Sequence, residues 1–403
     1  MLSISDLPSA EVNKIRMACA YLFSPEQTKD AEFLINLRYE RVKQAFAEKA
    51  KRYHPDLHGH ESPEMVERRK ERFIKIRESY ETLRNYILKE ATPPISKGTH
   101  RRAIIAVGGA KGGIGKSIFS ANLAVLLSRM GHRTVLIDLD LGGANLHLYL
   151  GETSLPYTLN DFLSQRATQL EEIMVTTRYG PKLIGGDSSR LGAANIDFAL
   201  KLKLLRSIRM IDADYIILDL GGDTSYNIID FFLAADHGLV LTTCDPTSYL
   251  EAYNFIKVSL FRKLNRLFGA ESNPGVEKDP VLKGLIEEAT LSGNGRRVKT
   301  IDQLMERVER EQPHHQSFIR DVVSKFRPFL LVNMVESDSD AMALVKRIQD
   351  VAWKMLSIHV EHLGTLPYRP EIKWSARDLV PVVAKSPEGL FSTVMTQLLG
   401  RIV

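Results

Sequence analysis

A glycine-rich segment between an apolar run and a helical run constrains this chain more than any other feature. The apolar residues Ala103–Val107 lead into GGAKGGIGKS, and IFSANLAVLLSRMGH follows. The order strand, glycine-rich loop, helix is the context that a phosphate-binding loop requires. Glycines let the backbone N–H groups turn inward, and the next helix presents the positive end of its dipole. The segment therefore predicts a phosphate site at the end of a buried strand.

The polar side chains of this loop predict how it holds a nucleotide. Lys116 is placed to reach the β- and γ-phosphates, and Ser117 to supply its hydroxyl to Mg²⁺. The predicted nucleotide-binding positions of the loop are Gly112, Gly113, Ile114, Gly115, Lys116, Ser117 and Ile118. The pattern G-x-x-x-x-G-K-[ST] fails because Ala110 stands at its first glycine, and K-G-G-x-G-K-S with an extra Lys111 matches instead. The alternative is a glycine-rich turn whose lysines are incidental.

The rest of the chain shows a helical block, a linker and an α/β domain. The β-branched runs AIIAV, RTVLID, DYIILDL, HGLVLTT and FLLVN alternate with helical stretches. Buried parallel strands have this pattern, so we predict a doubly wound, mainly parallel α/β sheet over residues 103–403. Charged helical sequence at about residues 261–327 predicts an insertion on this domain. Residues 91–102, with two prolines, glycine and basic residues, predict an exposed linker, and residues 1–90 a small all-α domain.

Composition excludes several classes of protein. The only two cysteines, Cys19 and Cys244, form no C-x-x-C pair, which argues against a disulfide scaffold and against cysteine-based metal sites. A net charge of +5 is too mild to predict binding to DNA. The first residues do not have the pattern of a signal peptide, and no uncharged run approaches the ~20 residues of a membrane span. We therefore expect a soluble cytoplasmic protein.

Five segments, in order, resemble the deviant P-loop ATPases of the MinD/ParA type. They are KGGIGKS, VLIDLDLGGANLHLYLG, DYIILDLGGDT, LTTCDPTSYLEAYNFIK, and FLLVNMVES together with HLGTLPYRPEIKWSARDLVPVVAKSP. Within the superfamily, TSYLEAYNFIK, VNMV and HLGTLPY are most similar to the MinD-like regulators of flagellar number and placement. The resemblance implies a P-loop NTPase fold, ATP and Mg²⁺ as cofactors, slow ATP hydrolysis and an ATP-dependent homodimer.

The resemblance also implies roles for single residues. Together with Lys116, the predicted catalytic residues are Lys111, which in this family reaches the partner's ATP across the dimer, and Asp140, which positions the attacking water. Asn333 would contact the adenine, although a strand-terminal asparagine is also a good turn residue.

Two further carboxylates are predicted, with Ser117, to form the metal site. Asp219 ends an apolar strand and is placed to hold Mg²⁺ through water, because a buried carboxylate without such a task is costly. Asp138 would support the water shell of the metal, with a strand-end turn residue as the alternative. Asp223 departs from the family pattern, and no role is assigned to it.

The N-terminal block resembles part of a DnaJ-type J domain. VKQAFAEKAKRYHPD and FIKIRESYETLRN are similar to helices II and III around the His-Pro-Asp loop. The second helix has an apolar stripe predicted to pack on the first, formed by Phe73, Ile76, Tyr80 and Leu83 against Val42, Ala45, Phe46 and Ala50. The resemblance implies that His54, Pro55 and Asp56 bind a DnaK-type chaperone. A helix–turn–helix without a chaperone role is the alternative.

The C-terminal residues 388–403 form a last apolar stripe. MinD-like relatives end in a membrane-targeting helix, so peripheral contact with the inner face of the membrane is one interpretation. Interfacial helices are usually rich in Lys and Arg, whereas this one has only Arg401, so packing into the core is favoured.

Three functions follow from these patterns. The first is an ATP-dependent switch. The second is a co-chaperone adaptor for a DnaK-type chaperone. The third is a DNA-partition ATPase, whose DNA binding would weaken steeply with salt.

Overall fold

The computed structural model describes residues 9–29, 39–53, 63–90, 102–187, 196–268, 280–290 and 300–402. The chain divides into two compact units, Met1–Thr99 and His100–Val403. Of the predicted linker, only Arg102 belongs to the described residues, and the His54-Pro55-Asp56 motif lies outside them.

The N-terminal unit is helical in its described parts. Its helices are α1 (Ser9–Leu22), α2 (Pro25–Lys29), α3 (Tyr39–Tyr53) and α4 (Pro63–Glu90). Ile76, Tyr80 and Leu83 are buried between α1, α3 and α4, and the ring of Phe46 stacks on Tyr80 with centroids 4.4 Å apart. The predicted packing is confirmed for Ile76, Tyr80 and Leu83, whereas Phe73 and Ala50 lie outside this buried cluster. The chaperone role and the J-domain identity stay predictions.

The second unit is built on a sheet that has eight strands within the described residues, in the order β3-β4-β2-β5-β1-β6-β7-β8. The strands are β1 (Ala103–Gly108), β2 (Thr134–Leu139), β3 (Val175–Thr176), β4 (Lys182–Ile184), β5 (Tyr215–Leu220), β6 (His237–Thr242), β7 (Phe329–Val335) and β8 (Glu361–Pro367). The pair β3–β4 is antiparallel, and the other described pairs are parallel. The predicted doubly wound, mainly parallel sheet is confirmed.

Helices cover both faces of this sheet. Those described are α5 (Lys116–Arg129), α6 (Leu146–Tyr149), α7 (Leu159–Leu163), α8 (Phe198–Met210), α9 (Tyr226–Ala234), α10 (Pro246–Phe268), α11 (Pro280–Thr290), α12 (Ile301–Glu311), α13 (Gln316–Ser324), α14 (Asp338–Leu356), α15 (Pro370–Arg377), α16 (Val382–Lys385) and α17 (Leu390–Leu399). The strand β1 alternates between two core layers, with Ile104 and Ala106 in one and Ile105 and Val107 in the other. Helices α8, α9, α10 and α14 close the first layer, and α5, α16 and α17 close the second.

Strand register brings the predicted site residues to one edge of the sheet. Asp219 pairs with Val107 of β1 on one side and with Asp138 of β2 on the other. The loop after β1 and the acids of β2 and β5 therefore meet at the carboxyl ends of the parallel strands, where α/β sheets bind ligands.

The segment predicted as an insertion begins inside a helix. Helix α10 runs without interruption from Pro246 to Phe268, and Phe261 and Leu264 are buried in the same core layer as the sheet. Helices α11, α12 and α13 follow before β7. The amino end of the predicted segment is thus part of a core helix, because its apolar side faces the sheet.

The C-terminal apolar stripe packs into the core. Phe391, Met395, Leu398 and Leu399 of α17 are buried, and the helix contacts β8 and α5. The favoured interpretation, packing into the core, is confirmed, and we do not propose the alternative of membrane contact through residues 388–403. Across the described residues, no helix combines the length and apolar character needed to cross a membrane.

Candidate functional site

The loop between β1 and α5 has a conformation that places Gly115 under close constraint. Gly115 precedes α5 with φ of +89°, a left-handed conformation that favours glycine. A Cβ at this position would overlap Nδ2 of Asn333. A Cβ at Gly112 or Gly113 would meet no atom within 4 Å, and at Gly113 it is the left-handed φ of +77° that favours glycine. Only glycine therefore allows the helix to start this close to β7.

Lys116 is the first residue of α5 and is 7% exposed. Its Nζ donates a hydrogen bond of 2.9 Å to the backbone oxygen of Lys111. Burial lowers the pKa of Lys116, while the charges of Asp219, Asp140 and Asp223 act in the opposite direction. The ammonium is thus held inside the loop and is surrounded by the acids of the neighbouring strand ends.

Asp219 lies at the end of β5 and is fully buried. Its Oδ1 accepts a 2.8 Å hydrogen bond from the hydroxyl of Ser120, and its Oδ2 has no hydrogen-bond partner among the described residues. Burial raises the pKa of Asp219 to about 6, against the lowering effects of the Ser117 and Ser120 hydroxyls and of the Lys116 charge. A buried carboxylate oxygen without a partner beside a serine hydroxyl fits the oxygen-ligand chemistry of Mg²⁺. These residues therefore fit the predicted metal.

Asp138 lies beside Asp219 but uses its oxygens differently. Its Oδ1 accepts a hydrogen bond from the backbone N–H of Asp140, and its Oδ2 accepts one from that of Leu146, both of 3.1 Å. Burial, together with the nearby charge of Asp219, raises the pKa of Asp138 well above its usual range. These contacts favour the alternative in which Asp138 shapes the turn after β2, and its metal role stays a prediction.

Asp140 follows β2 at the rim of the site. Its Oδ1 accepts a 3.0 Å hydrogen bond from the backbone N–H of Gly143. It also faces the turn after β5, since a Cβ at Gly221 would lie 3.2 Å from the same oxygen. Asp140 thus lies near Lys116, a predicted catalytic residue, and near Asp219, a predicted metal residue, and these roles stay predictions.

The turn after β5 packs directly on the phosphate loop. A Cβ at Gly222 would lie 3.0 Å from the backbone nitrogen of Gly112. Asp223 is exposed, and its Oδ1 accepts a 2.6 Å hydrogen bond from the backbone N–H of Ser225, just before α9. Glycine at position 222 permits this close contact, and Asp223 stabilises the turn that leads into α9. No pattern in the sequence distinguishes Gly222 from other glycines as a site residue.

Lys111 contacts its own chain. Its Nζ donates a 2.7 Å hydrogen bond to the hydroxyl of Thr247, in the first turn of α10. No feature of the sequence pointed to Thr247, because the two residues are 136 positions apart. Reaching a second protomer would require Lys111 to release this contact.

Asn333 lies inside β7, next to the phosphate loop. Its Nδ2 donates a 2.8 Å hydrogen bond to the backbone oxygen of Ile114, and the side chain is buried. The register of β7 with β8 shifts between Val332 and Val335, and Met334 has φ of +56°. Such bulges turn side chains toward sites.

A cavity of about 300 Å³ opens beside Asn333. Its walls are mainly apolar, and they include Gly115, Ile118, Phe119, Met334, Tyr368 and Ile372. Ligand pockets of this type combine apolar walls with a few polar groups. Because the cavity adjoins the loop through Gly115 and Ile118, its position fits the predicted place of the base, and the ligand itself stays a prediction.

Similarity to known proteins identifies the family of this chain. The model of the CobQ/CobB/MinD/ParA nucleotide binding domain matches residues 105–382, so the N-terminal unit lies outside the match. Antiactivator FleN of Pseudomonas aeruginosa is 30% identical over 161 residues, which cover 40% of this chain and 57% of FleN. Flagellum site-determining protein YlxH of Helicobacter pylori is 33% identical over 162 residues, which cover 38% of this chain and 53% of YlxH. The chain therefore spans little more than half the length of these curated relatives.

Solved structures similar to this chain are also known, at low sequence identity. The septum site-determining protein MinD from Pyrococcus horikoshii, complexed with Mg-ADP, is 19% identical with a TM-score of 0.49, covering 75% of this chain and 96% of that one. A chain of the MinC:MinD cell division protein complex of Aquifex aeolicus is 18% identical with a TM-score of 0.47, covering 74% of this chain and 95% of that one.

Proposed function

Because the chain belongs to the CobQ/CobB/MinD/ParA family of nucleotide-binding domains, we propose that it is an ATP-dependent molecular switch. In this proposal ATP binding closes a homodimer, and hydrolysis opens it. The observation that carries the proposal is that buried Lys116 lies within the charge influence of Asp219, whose Oδ2 has no hydrogen-bond partner among the described residues. A cation for phosphate and a carboxylate for Mg²⁺ are the parts that phosphoryl transfer requires.

Each residue of the site has a task in this mechanism. Lys116 binds the phosphates in place of the Lys111 backbone oxygen that it now contacts. Ser117 and Asp219 would hold Mg²⁺, which supplies positive charge where negative charge develops on the phosphates. Asp140 orients the attacking water and accepts its proton, a contribution that positioned carboxylates commonly make. Asn333 binds the base beside the loop.

The relatives suggest what such a switch controls. FleN and YlxH carry names that refer to an antiactivator and to flagellum site determination. We extend this to the present chain as control of flagellar number or placement, exerted in the cytoplasm through the partner that the dimer selects.

Replacing Lys111 with alanine is expected to separate nucleotide binding from dimerisation. The variant should bind a non-hydrolysable ATP analogue like the wild type, because Lys116 and Asp219 are unchanged. Its dimer should be at least about 100-fold weaker, since one charge-assisted contact is lost on each side. Light scattering over a concentration series, with and without the analogue, measures the proportions of monomer and dimer.

The matched control is Lys116→Ala, which should fail to bind the analogue at all and should stay monomeric for that reason. A Lys111→Ala protein that dimerises like the wild type would contradict the sandwich dimer. A Lys116→Ala protein that still binds the analogue would contradict the nucleotide site itself.

A co-chaperone role for residues 1–90 is the second proposed function. It is favoured by the α3–α4 packing through Phe46 and Tyr80, which matches the predicted helix pair. The full chain should accelerate single-turnover ATP hydrolysis by a DnaK-type chaperone, and His54→Gln should abolish the acceleration while ATP binding by the chain itself is unchanged. Equal rates with wild type, with His54→Gln and with no added protein would eliminate this role.

A further inference from the structure

Helix α5 carries a buried serine that contacts the predicted metal carboxylate. Ser120 is fully buried, and its hydroxyl donates a 2.8 Å hydrogen bond to Oδ1 of Asp219, 99 residues away. The serine lies one helical turn beyond Lys116 and Ser117, so all three side chains share the part of α5 nearest the end of β5.

The contact matters because the second carboxylate oxygen of Asp219, Oδ2, is in a different situation. Oδ2 is buried without a hydrogen-bond partner among the described residues. An unsatisfied buried carboxylate oxygen is costly and calls for an explanation. Ser117 and Lys116 lie close enough to lower the pKa of this carboxylate. The hydrogen bond from Ser120 therefore fixes one oxygen and leaves the other as the acceptor in the site.

A serine is otherwise a poor choice at this position. Alanine is a better helix former and needs no partner when buried. Serine inside a helix commonly donates its hydrogen to a carbonyl of the preceding turn. The hydroxyl of Ser120 has one hydrogen to donate, and it donates this hydrogen to Asp219 instead.

We infer that Ser120 is a positioning residue that holds Oδ1 of Asp219 so that Oδ2 accepts from the water shell of Mg²⁺. The inference rests on the proposed nucleotide site and adds one residue to it. Loss of an outer partner of a metal site weakens metal affinity by about 10–100-fold.

The test compares Ser120→Ala with Ser128→Ala in the full-length protein. Ser128 is also on α5, and its hydroxyl has no hydrogen-bond partner among the described residues, so its removal controls for losing a helix hydroxyl. Binding of a fluorescent ATP analogue is measured in EDTA and during a Mg²⁺ titration, together with the thermal unfolding midpoint.

For Ser120→Ala we expect the Mg²⁺ concentration at half-saturation to rise about tenfold, while binding in EDTA stays unchanged. Ser128→Ala should match the wild type in both. An unchanged Mg²⁺ midpoint, or an equal loss in EDTA and in Mg²⁺, overturns the inference. If Ser120→Ala does not fold, Ser120→Cys, which keeps the volume but donates weakly, is judged by the same criteria. A wild type whose analogue binding ignores Mg²⁺ would instead overturn the proposed function.

Discussion

Replacing Asp230 with asparagine is expected to destabilise the second unit by about 3–5 kcal/mol. Asp230 of α9 is buried and accepts hydrogen bonds of 2.8 Å from both Nε and Nη2 of Arg262, and it also pairs with Lys201. Lys201 and Arg262 are 5% and 7% exposed. Removing the carboxylate charge takes away the anion that these two buried cations share, which costs far more than a lost surface pair.

Urea unfolding measures this effect in the intact chain. Both tryptophans of the sequence, Trp353 and Trp374, belong to the second unit, so their fluorescence reports its unfolding alone. Asp212→Asn is the control, because Asp212 pairs with Arg133 at the surface with its own side chain 87% exposed, and such pairs contribute about 1 kcal/mol or less. Equal losses in the two variants would contradict the buried-pair argument.

The pH dependence of this loss has a definite sign. Burial alone would raise the pKa of Asp230, but the hydrogen bonds and charges of Arg262 and Lys201 bring it below the usual value. A depressed carboxyl pKa contributes stability that is present above the unfolded pKa of about 4 and is lost as the pH falls through the folded value. The difference between wild type and Asp230→Asn should therefore be full at neutral pH and should shrink below about pH 4.

Local order along the chain was enough to predict the fold. The sequence from Ala103 through the glycines to Lys116 specifies strand, loop and helix within one stretch of chain, and each part agrees with its own local preference. The alternation of β-branched and helical runs then predicts a parallel sheet. The C-terminal stripe has two interpretations, because the same apolar pattern suits a core or a membrane, and the burial of residues such as Met395 distinguishes them.

Contacts across the sheet could not be predicted in this way. The hydrogen bond from Ser120 joins residues 99 positions apart, and that from Asn333 to Ile114 joins residues 219 positions apart. Both depend on the order β5-β1-β6-β7, which periodicity does not give. Asp138 illustrates a second limit, because the direction of its oxygens depends on the turn that it stabilises.

Replacing Asp140 with asparagine is expected to slow ATP hydrolysis by about 100–10,000-fold while ATP and Mg²⁺ binding persist. Asparagine has nearly the same shape, and its Oδ1 can still accept the hydrogen bond that Gly143 donates to Asp140. The change removes only the negative charge and the ability to accept a proton from water. The ATP-bound dimer should therefore accumulate, because hydrolysis is the step that opens it in the proposed cycle.

Single-turnover release of phosphate measures this loss, and Asp223→Asn is its matched control. The charges of both carboxylates raise the pKa of Lys116. Asp223 is nevertheless exposed, and its Oδ1 accepts a hydrogen bond from the backbone N–H of Ser225, just before α9. Asp223→Asn should therefore keep turnover near that of the wild type. Undiminished turnover in Asp140→Asn would mean that another group positions the water. Equal losses in both variants would mean that negative charge around Lys116, and not a carboxylate that accepts the proton, controls the rate.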